Sequence, residues 1–425
     1  MTAATRSLAR RLGTGDAVVI GLGSMIGAGV FSAWAPAAAA AGAGLLVGLL
    51  VAAGVAYCNA VASAQLAAQY PTSGGTYVYG RERLGNVWGF LAGWGFVIGK
   101  TASCAAMALT FAGYLVPQPA IAHRLLAALA VVALTAVNLR GISRTAGLTR
   151  ALVTLSLLAL VMFVGVVLVN VLGPGAAQPL TPLQDVGRGP YGVLQSAGLL
   201  FFAFAGYARI VTLGEEVREP QVTIPRAIPL ALGITVVVYL LVGTASLLAA
   251  GPDALADTSR PLAVAAEAAN TAWLLPVVMG GAAVASLGAL LALIAGIGRT
   301  ALAMARNGDL PQWLAAIHPA RQVPHHAELA VGVAVIALAL LTDLRGAIGF
   351  SSFGVLLYYA VANASAFTQT GEFRRWPRVL NAAGLVGCLV LVTTLPLEAV
   401  AAGVVMFAIG LAVRMTRSVM AGRSA

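Results

Sequence analysis

A succession of about a dozen apolar stretches, most long enough to cross a ~30 Å hydrocarbon layer, constrains this chain more than any other feature. They fall at about 15–40, 43–69, 85–116, 121–138, 148–172 and 192–214, then at 225–250, 272–304, 328–342, 344–367, 379–395 and 397–414. A segment inside lipid has no water to satisfy its peptide groups, so each stretch is expected as an α-helix. Two turns are very short, Ala41–Gly42 and Asp343 to Gly346, and the boundary between the last two stretches rests on Pro396 and Glu398. The charge content agrees. Only 9% of the 425 residues are charged, whereas a water-soluble domain carries about a quarter. Too few charges remain to cover a water-facing surface.

A net charge of +11 would suit a nucleic-acid partner, but the basic residues cluster in short segments between the apolar stretches. That is the pattern of positive-inside loops facing anionic headgroups. With the N-terminus inside, cytoplasmic segments hold nineteen of the 25 basic residues, from Arg6, Arg10 and Arg11 to Arg414, Arg417 and Arg423. Outside loops hold four: Arg124, Arg188, Arg260 and Arg345. The last two, Lys100 and Arg209, fall at or near membrane depth. The expectation is a multi-pass protein of the cell (plasma) membrane with both termini cytoplasmic. No cleavage site follows the first arginines, so the first stretch reads as a retained helix and not as a signal peptide. Cys58, Cys104 and Cys388 sit in apolar runs without metal-ligand spacing, and His123, His318, His325 and His326 lie in predicted loops. Neither disulfide, metal nor cofactor is expected from them.

Glycines interrupt two of the stretches. Gly21, Gly23, Gly27 and Gly29 surround Ser24, Met25 and Ile26 near the middle of the first. Small residues there serve either as a packing face or as a point of unwinding. Unwinding frees amide N–H groups at the start of a half-helix, whose dipole favours an anion. The sixth stretch contains Phe202-Ala203-Phe204-Ala205-Gly206-Tyr207-Ala208-Arg209, with one glycine among aromatics near mid-span. Two interrupted helices five spans apart are what an inverted-repeat carrier uses, with its substrate at the bilayer midplane. Freed carbonyls would hold an ammonium and freed N–H groups a carboxylate. Such a pair suits a zwitterion such as an amino acid.

At these residues the chain resembles the amino acid–polyamine–organocation superfamily, closest to bacterial amino acid permeases, from about Gly13 onward. The motifs that carry the resemblance are Gly23-Ser-Met-Ile-Gly-Ala-Gly-Val-Phe31 and Tyr70-Pro-Thr-Ser-Gly-Gly-Thr-Tyr-Val-Tyr79. Gly214-Glu-Glu-Val-Arg-Glu-Pro220, Ile224-Pro-Arg-Ala-Ile228, and Arg299 with Ala303-Met-Ala-Arg-Asn-Gly-Asp-Leu-Pro311 follow in the family's order. The resemblance implies an all-α membrane protein of about 12 helices, a leucine-transporter-like 5+5 inverted repeat with broken helices 1 and 6. It divides the chain into a cytoplasmic segment over 1–14, repeats over 15–172 and 190–367, two additional helices over 378–415, and a tail over 416–425. It also implies movement of amino acids by alternating access, as proton symport or as exchange. The substrate carboxylate is then expected at the N–H groups of Gly27, Ala28 and Gly29. The ammonium is expected at carbonyls of Met25, Ile26, Phe202, Ala203 and Ala205, with Phe204 and Tyr207 closing over the side chain. Two departures stand out. Where many relatives have an acid after the helix-6 aromatic, this chain has Ala208 and then Arg209. Where some proton-coupled relatives have a helix-5 lysine, it has Ser156.

Lys100 is the only lysine and lies deep in the third stretch. A charged lysine at mid-bilayer costs at least ~2.5 kcal/mol, so it must snorkel, pair with carbonyls, or face the bundle interior. In the last case it lines the central cavity and supplies the charge missing from helix 5. That charge disfavours cationic cargo, and an apolar site of Met25, Ile26, Phe202, Phe204 and Tyr207 with no acid favours a neutral, small or apolar amino acid. Arg209 is expected to snorkel or to pair with Glu215. Asp16 either favours the first helix dipole or acts as an inner-gate partner. Glu267, in Pro261 to Asn270, is either an outer-vestibule group or a solvated loop acid. By family placement, Ser156 and Ser286 flank a sodium-like site, or they simply bond their own helices. Tyr70–Tyr79 reads as a cytoplasmic loop, and Arg299, Arg306 and Asp309 as partners in ion pairs that break on inward opening. Proteolytic chemistry needs a Ser/His, paired-acid or His-Glu-x-x-His set within the spans, and none is present. A channel filter would require rotational symmetry, whereas the two breaks are dissimilar.

Overall fold

The computed structural model describes residues 12–72, 74–140, 145–173, 189–211, 213–214 and 216–423, with side chains at 145–149 and 417–423 outside that description. Seventeen α-helices occur among these residues, and no strand beyond one isolated bridge, Leu12 with Val217. The first apolar stretch is three pieces: α1 (Thr14–Met25), α2 (Gly29–Ser32) and α3 (Trp34–Ala41). Then come α4 (Leu45–Gln69), α5 (Thr76–Leu84), α6 (Asn86–Leu115), α7 (Ala120–Leu139) and α8 (Thr145–Leu172). The sixth stretch is α9 (Gly189–Phe204), a 3₁₀ turn at Ala205–Tyr207, and α10 (Ala208–Val211). Beyond it lie α11 (Pro220–Ala256), α12 (Pro261–Ala268), α13 (Leu275–Arg306), α14 (His325–Leu341) and α15 (Leu344–Phe367). The last two, α16 (Arg378–Thr394) and α17 (Leu397–Arg423), are split at Pro396 as expected.

Among the described residues ten helical stretches are long and apolar enough to cross a membrane, and α14 and α16 are shorter apolar helices of 17 residues each. Seventeen residues are the lower limit for a span, at about 1.5 Å of rise per residue. The protein is an all-α, multi-pass membrane protein. Both connections are short, though with other bounds: a 3₁₀ turn at Gly42–Gly44, and residues 342–343, since α15 begins at Leu344. Gly42 reverses the chain after α3 with φ 57°, a conformation that needs no Cβ. Asp343 caps α15 by accepting from the Gly346 N–H at 2.7 Å.

Two helices depart from the sequence reading. The Tyr70–Tyr79 segment is not wholly a loop, since α5 begins at Thr76, and Pro261 to Asn270 contains α12. Neither helix is a long apolar run, so the span pattern passes over them. His123, His325 and His326 likewise sit in α7 and α14 and not in loops. The two added helices lie at opposite ends of the bundle. Tyr114 at the end of α6 donates to the Phe31 carbonyl at 2.7 Å and accepts from the Leu262 N–H of α12 at 3.2 Å. At the other end, Tyr358 of α15 accepts from the Thr76 N–H of α5 at 3.2 Å.

Close helix approach explains the glycine run before Lys100. A Cβ on Gly95 would stand 2.8 Å from the Gly354 carbonyl, and one on Gly99 3.2 Å from the Gly354 Cα. Small residues let α6 and α15 touch backbone to backbone there. Ser103 and Ser351, one turn further, share a hydrogen bond of 2.6 Å. This contact sets the rotation of α6 and turns Lys100 inward.

Candidate substrate site

Helix α1 stops at Met25 because Ile26 leaves the helical region, at φ −81° and ψ 60°. Its N–H still reaches the Leu22 carbonyl at 2.6 Å, and helical bonding resumes with the Phe31 N–H on the Ala28 carbonyl at 3.0 Å. The amides of Gly27, Ala28 and Gly29 stand outside both ladders. The sequence uses glycine here because the neighbours crowd in. A Cβ on Gly27 would lie 2.8 Å from the Ala289 Cβ, and one on Gly29 2.7 Å from the Ala203 Cα.

The second break is a single 3₁₀ turn. Gly206 rests on the peptide after Ser24, so that any Cβ would overlap the Ser24 carbonyl. The two breaks therefore cross in contact. Around this crossing lies a cavity of about 820 Å³ of free space, its open mouth included. From the breaks come Ser24, Met25, Gly27, Ala28, Gly29, Phe202, Ala203, Ala205 and Gly206. Helix α6 adds Phe96, Lys100, Ser103 and Met107, and α13 adds Ala289, Ala292, Leu293, Gly296 and Arg299.

Three expected members of the site stand elsewhere. Ile26, Phe204 and Tyr207 do not line the cavity. Phe201, Phe204 and Tyr207 recur every third residue and share the opposite face of the sixth stretch. Phe204 packs on Tyr239 of α11, with ring centres 5.0 Å apart, and Tyr207 on Tyr359 of α15 at 4.9 Å. The aromatic wall of the cavity is instead Phe96 and Phe202.

Lys100 is 5% exposed and donates to the Ala205 carbonyl at 3.0 Å. It both lines the cavity and pairs with a carbonyl, so the two readings open in the sequence are met together. Tyr239 gave no signal in the sequence beyond being a tyrosine in an apolar stretch. Its hydroxyl lies 2.5 Å from the Met25 carbonyl and 3.0 Å from the Ala203 carbonyl, with one proton to share between them. Three of the five carbonyls expected to meet an ammonium thus already face a donor of the protein. The charged residues lining the cavity are Lys100, Arg209 and Arg299, all basic. Glu216 approaches Arg299 at 3.8 Å. The expected Arg209–Glu215 pair lies outside the described residues, since Glu215 does.

The remaining candidates sort by place. Asp16 caps α1, accepting from the Gly13 N–H at 3.1 Å, and also forms an ion pair with Arg150 of α8. Ser156 donates to its own helix at the Leu152 carbonyl, 2.9 Å away, and Ser286 is fully buried; neither lines the cavity. Glu267 faces Arg260 at 3.5 Å from α12. Asp309 accepts from Tyr77 at 2.7 Å, from Arg81 at 3.0 Å and from Arg414 of α17. Burial, then the Asp309 carboxylate, pushes the Tyr77 phenol up to about 12, so it remains a donor. Arg414 also lies over the Phe90 ring, 4.9 Å from its centre. Neither Arg299 nor Arg306 is the partner of Asp309; Arg81 and Arg414 are. The motif residues meet at this α5 end of the bundle, where Gly214 packs on the Pro71 backbone.

A broken-helix bundle around a mid-span cavity is the architecture of a carrier. The amino acid permease family matches residues 12–421, and the chain belongs to that family. It is a transporter-family protein and not an enzyme. An uncharacterized transporter of Mycobacterium tuberculosis is 60% identical over 417 residues, covering 98% of this chain and 93% of that protein. A branched-chain amino acid permease of Bacillus subtilis is 26% identical, over 90% of this chain and 86% of its own length. The human cationic amino acid transporter 4 is 30% identical, over 84% of this chain and 59% of its own.

Proposed function

We propose that this protein is a secondary active transporter that takes up neutral, small or apolar amino acids by alternating access, in symport with protons. The observation that carries the reading is the crossing of the two breaks at Ser24 and Gly206, beside a cavity that holds Lys100. Amides of Gly27, Ala28 and Gly29 receive the carboxylate. The ammonium shares the carbonyls of Met25 and Ala203 with Tyr239, while Lys100 keeps that of Ala205. Phe96, Phe202 and Met107 surround an apolar side chain. The cavity's basic residues oppose a cationic side chain, which favours the cargo named for the bacterial branched-chain relative over that named for the human one. Lys100 supplies the positive charge beside the helix-6 break and is a candidate to relay the coupled proton.

In this reading the helices over 15–172 and 190–367 form the two inverted repeats, and the α5 end faces the cytoplasm of the cell, which the arginine distribution supports. The ion pairs on Asp309 then hold the inner surface closed. Purified protein in proteoliposomes tests the reading. Labelled neutral amino acids should accumulate when the lumen is alkaline. One proton per substrate supports about tenfold accumulation per pH unit, because one unit is worth about 1.4 kcal/mol. Counterflow without accumulation identifies an exchanger; binding without either identifies a sensor.

A further inference from the structure

Among the described residues two acids are buried, Asp309 and Glu328, and they are held in opposite ways. Asp309 takes three donors. Glu328 is 3% exposed, makes no ion pair among the described residues, and its Oε2 is enclosed without a hydrogen-bond partner. An acid in the first turn of a helix is usually a solvated partner of the helix dipole. On α14 that role was available on the outer face, where Leu329 and Val333 are exposed. Glu328 instead begins the buried stripe that continues through Val331, Gly332, Val335 and Ala339. A carboxyl group so placed is stable only while it holds a proton or finds a donor.

Its surroundings tie it to the cavity. The Glu328 side chain lies over Gly298 of α13, where an added Cβ would stand 2.9 Å from its Cγ. The next residue, Arg299, lines the cavity, faces Glu216 at 3.8 Å, and is the charged group whose field reaches Glu328. On its own helix His325 and His326 precede it, with His326 bonded to the Trp313 carbonyl at 2.8 Å. Helix α7 passes with Thr135 against Gly332 and ends at Leu139, whose carbonyl accepts from Arg321. The charged residue of α6 is Lys100, bonded to Ala205 at the break.

We propose that Glu328, which packs on Gly298 beside the cavity residue Arg299, is the exchangeable acid that binds and releases the coupled proton. The proposal rests on the proton-symport reading above. The step is a simple exchange: the carboxylate takes H⁺ to become the carboxylic acid and returns it on the other side, with no electron moved. Arg299 is the switch. While it faces Glu216, Glu328 stays protonated; when it turns to Glu328, the carboxylate gains a partner and the proton leaves.

The test is Glu328→Gln beside Glu328→Asp and the wild type, in proteoliposomes supplied with a mixture of the twenty labelled L-amino acids. Counterflow is measured at equal pH, and accumulation under a gradient of one pH unit. The expected result is wild-type accumulation of about tenfold, and in Glu328→Gln counterflow within about twofold of wild type but no accumulation, with partial recovery in Glu328→Asp. Initial uptake should rise with external acidity in the wild type and stay flat in Glu328→Gln. Accumulation by Glu328→Gln overturns the assignment and leaves symport standing. A wild type without counterflow, or with counterflow but no accumulation, overturns both. Loss of counterflow in both variants marks Glu328 as structural and also overturns the assignment.

Discussion

The two helix breaks do different work although they touch. The first is long and glycine-rich: from Ile26 to Ala28 the chain leaves the helix, and three amides stand outside any ladder. The second is one 3₁₀ turn, and its Ala205 carbonyl is held by Lys100 at 3.0 Å and approached by Tyr359 at 3.4 Å. One break is open to a ligand's negative end. The other is closed by the protein's own cation, in the place expected for a ligand's positive end. The lesson is that a broken helix is an acceptor site only as far as the neighbouring helices leave it unsatisfied.

The contrast can be broken most severely at Gly206. Alanine there would press its methyl group on the Ser24 backbone carbonyl. It should cost about 3 kcal/mol, seen as a lower melting temperature, and should abolish counterflow. Alanine at Gly27 meets the Ala289 Cβ and, more loosely, the Ala285 carbonyl and should cost about 1 kcal/mol, with counterflow retained. Equal damage at both would erase the difference between the breaks. Next in size, Lys100→Met removes the cation from the second break. Accumulation under a pH gradient should vanish while counterflow persists. Unchanged proton-driven uptake in this variant would sink the role given to Lys100.

A smaller effect is expected from Tyr239→Phe, which deletes the hydroxyl shared by the Met25 and Ala203 carbonyls. Loss of that bond, about 1 kcal/mol, should raise KM about fivefold with little change in maximal rate. A lower KM would mean that the hydroxyl competes with the ammonium instead of placing its carbonyls. Smallest of all, Ser156→Ala and Ser286→Ala should change uptake less than about twofold, since Ser156 bonds its own helix. Sodium-stimulated uptake lost in either variant would revive the cation site.

Much of this was legible in the chain because lipid imposes a local rule. Every span must satisfy its own peptides, so apolar runs mark helices, and glycine clusters at mid-span mark where the rule is suspended. The breaks at Gly27 and Gly206 and the split at Pro396 follow from residues adjacent in sequence. Helices α5 and α12 escaped the pattern because neither crosses the membrane. The family resemblance implies that Phe204 and Tyr207 close over the substrate, but the threefold spacing through the 3₁₀ turn faces them the other way.

What the sequence determined by itself was therefore the membrane class, the succession of apolar helices, the two glycine positions where unwinding was possible and the presence of one unexplained lysine. Tertiary structure decided what each buried polar group meets. The rotation of α6 comes from backbone contact between Gly95, Gly99 and Gly354, about 250 residues apart in sequence. That rotation aims Lys100 at Ala205. Packing across helices likewise brought Tyr239 to both breaks, gave Asp309 its donors and, among the described residues, left the Glu328 Oε2 without one. Such pairings depend on how helices cross, and no local rule of composition or spacing carries that information.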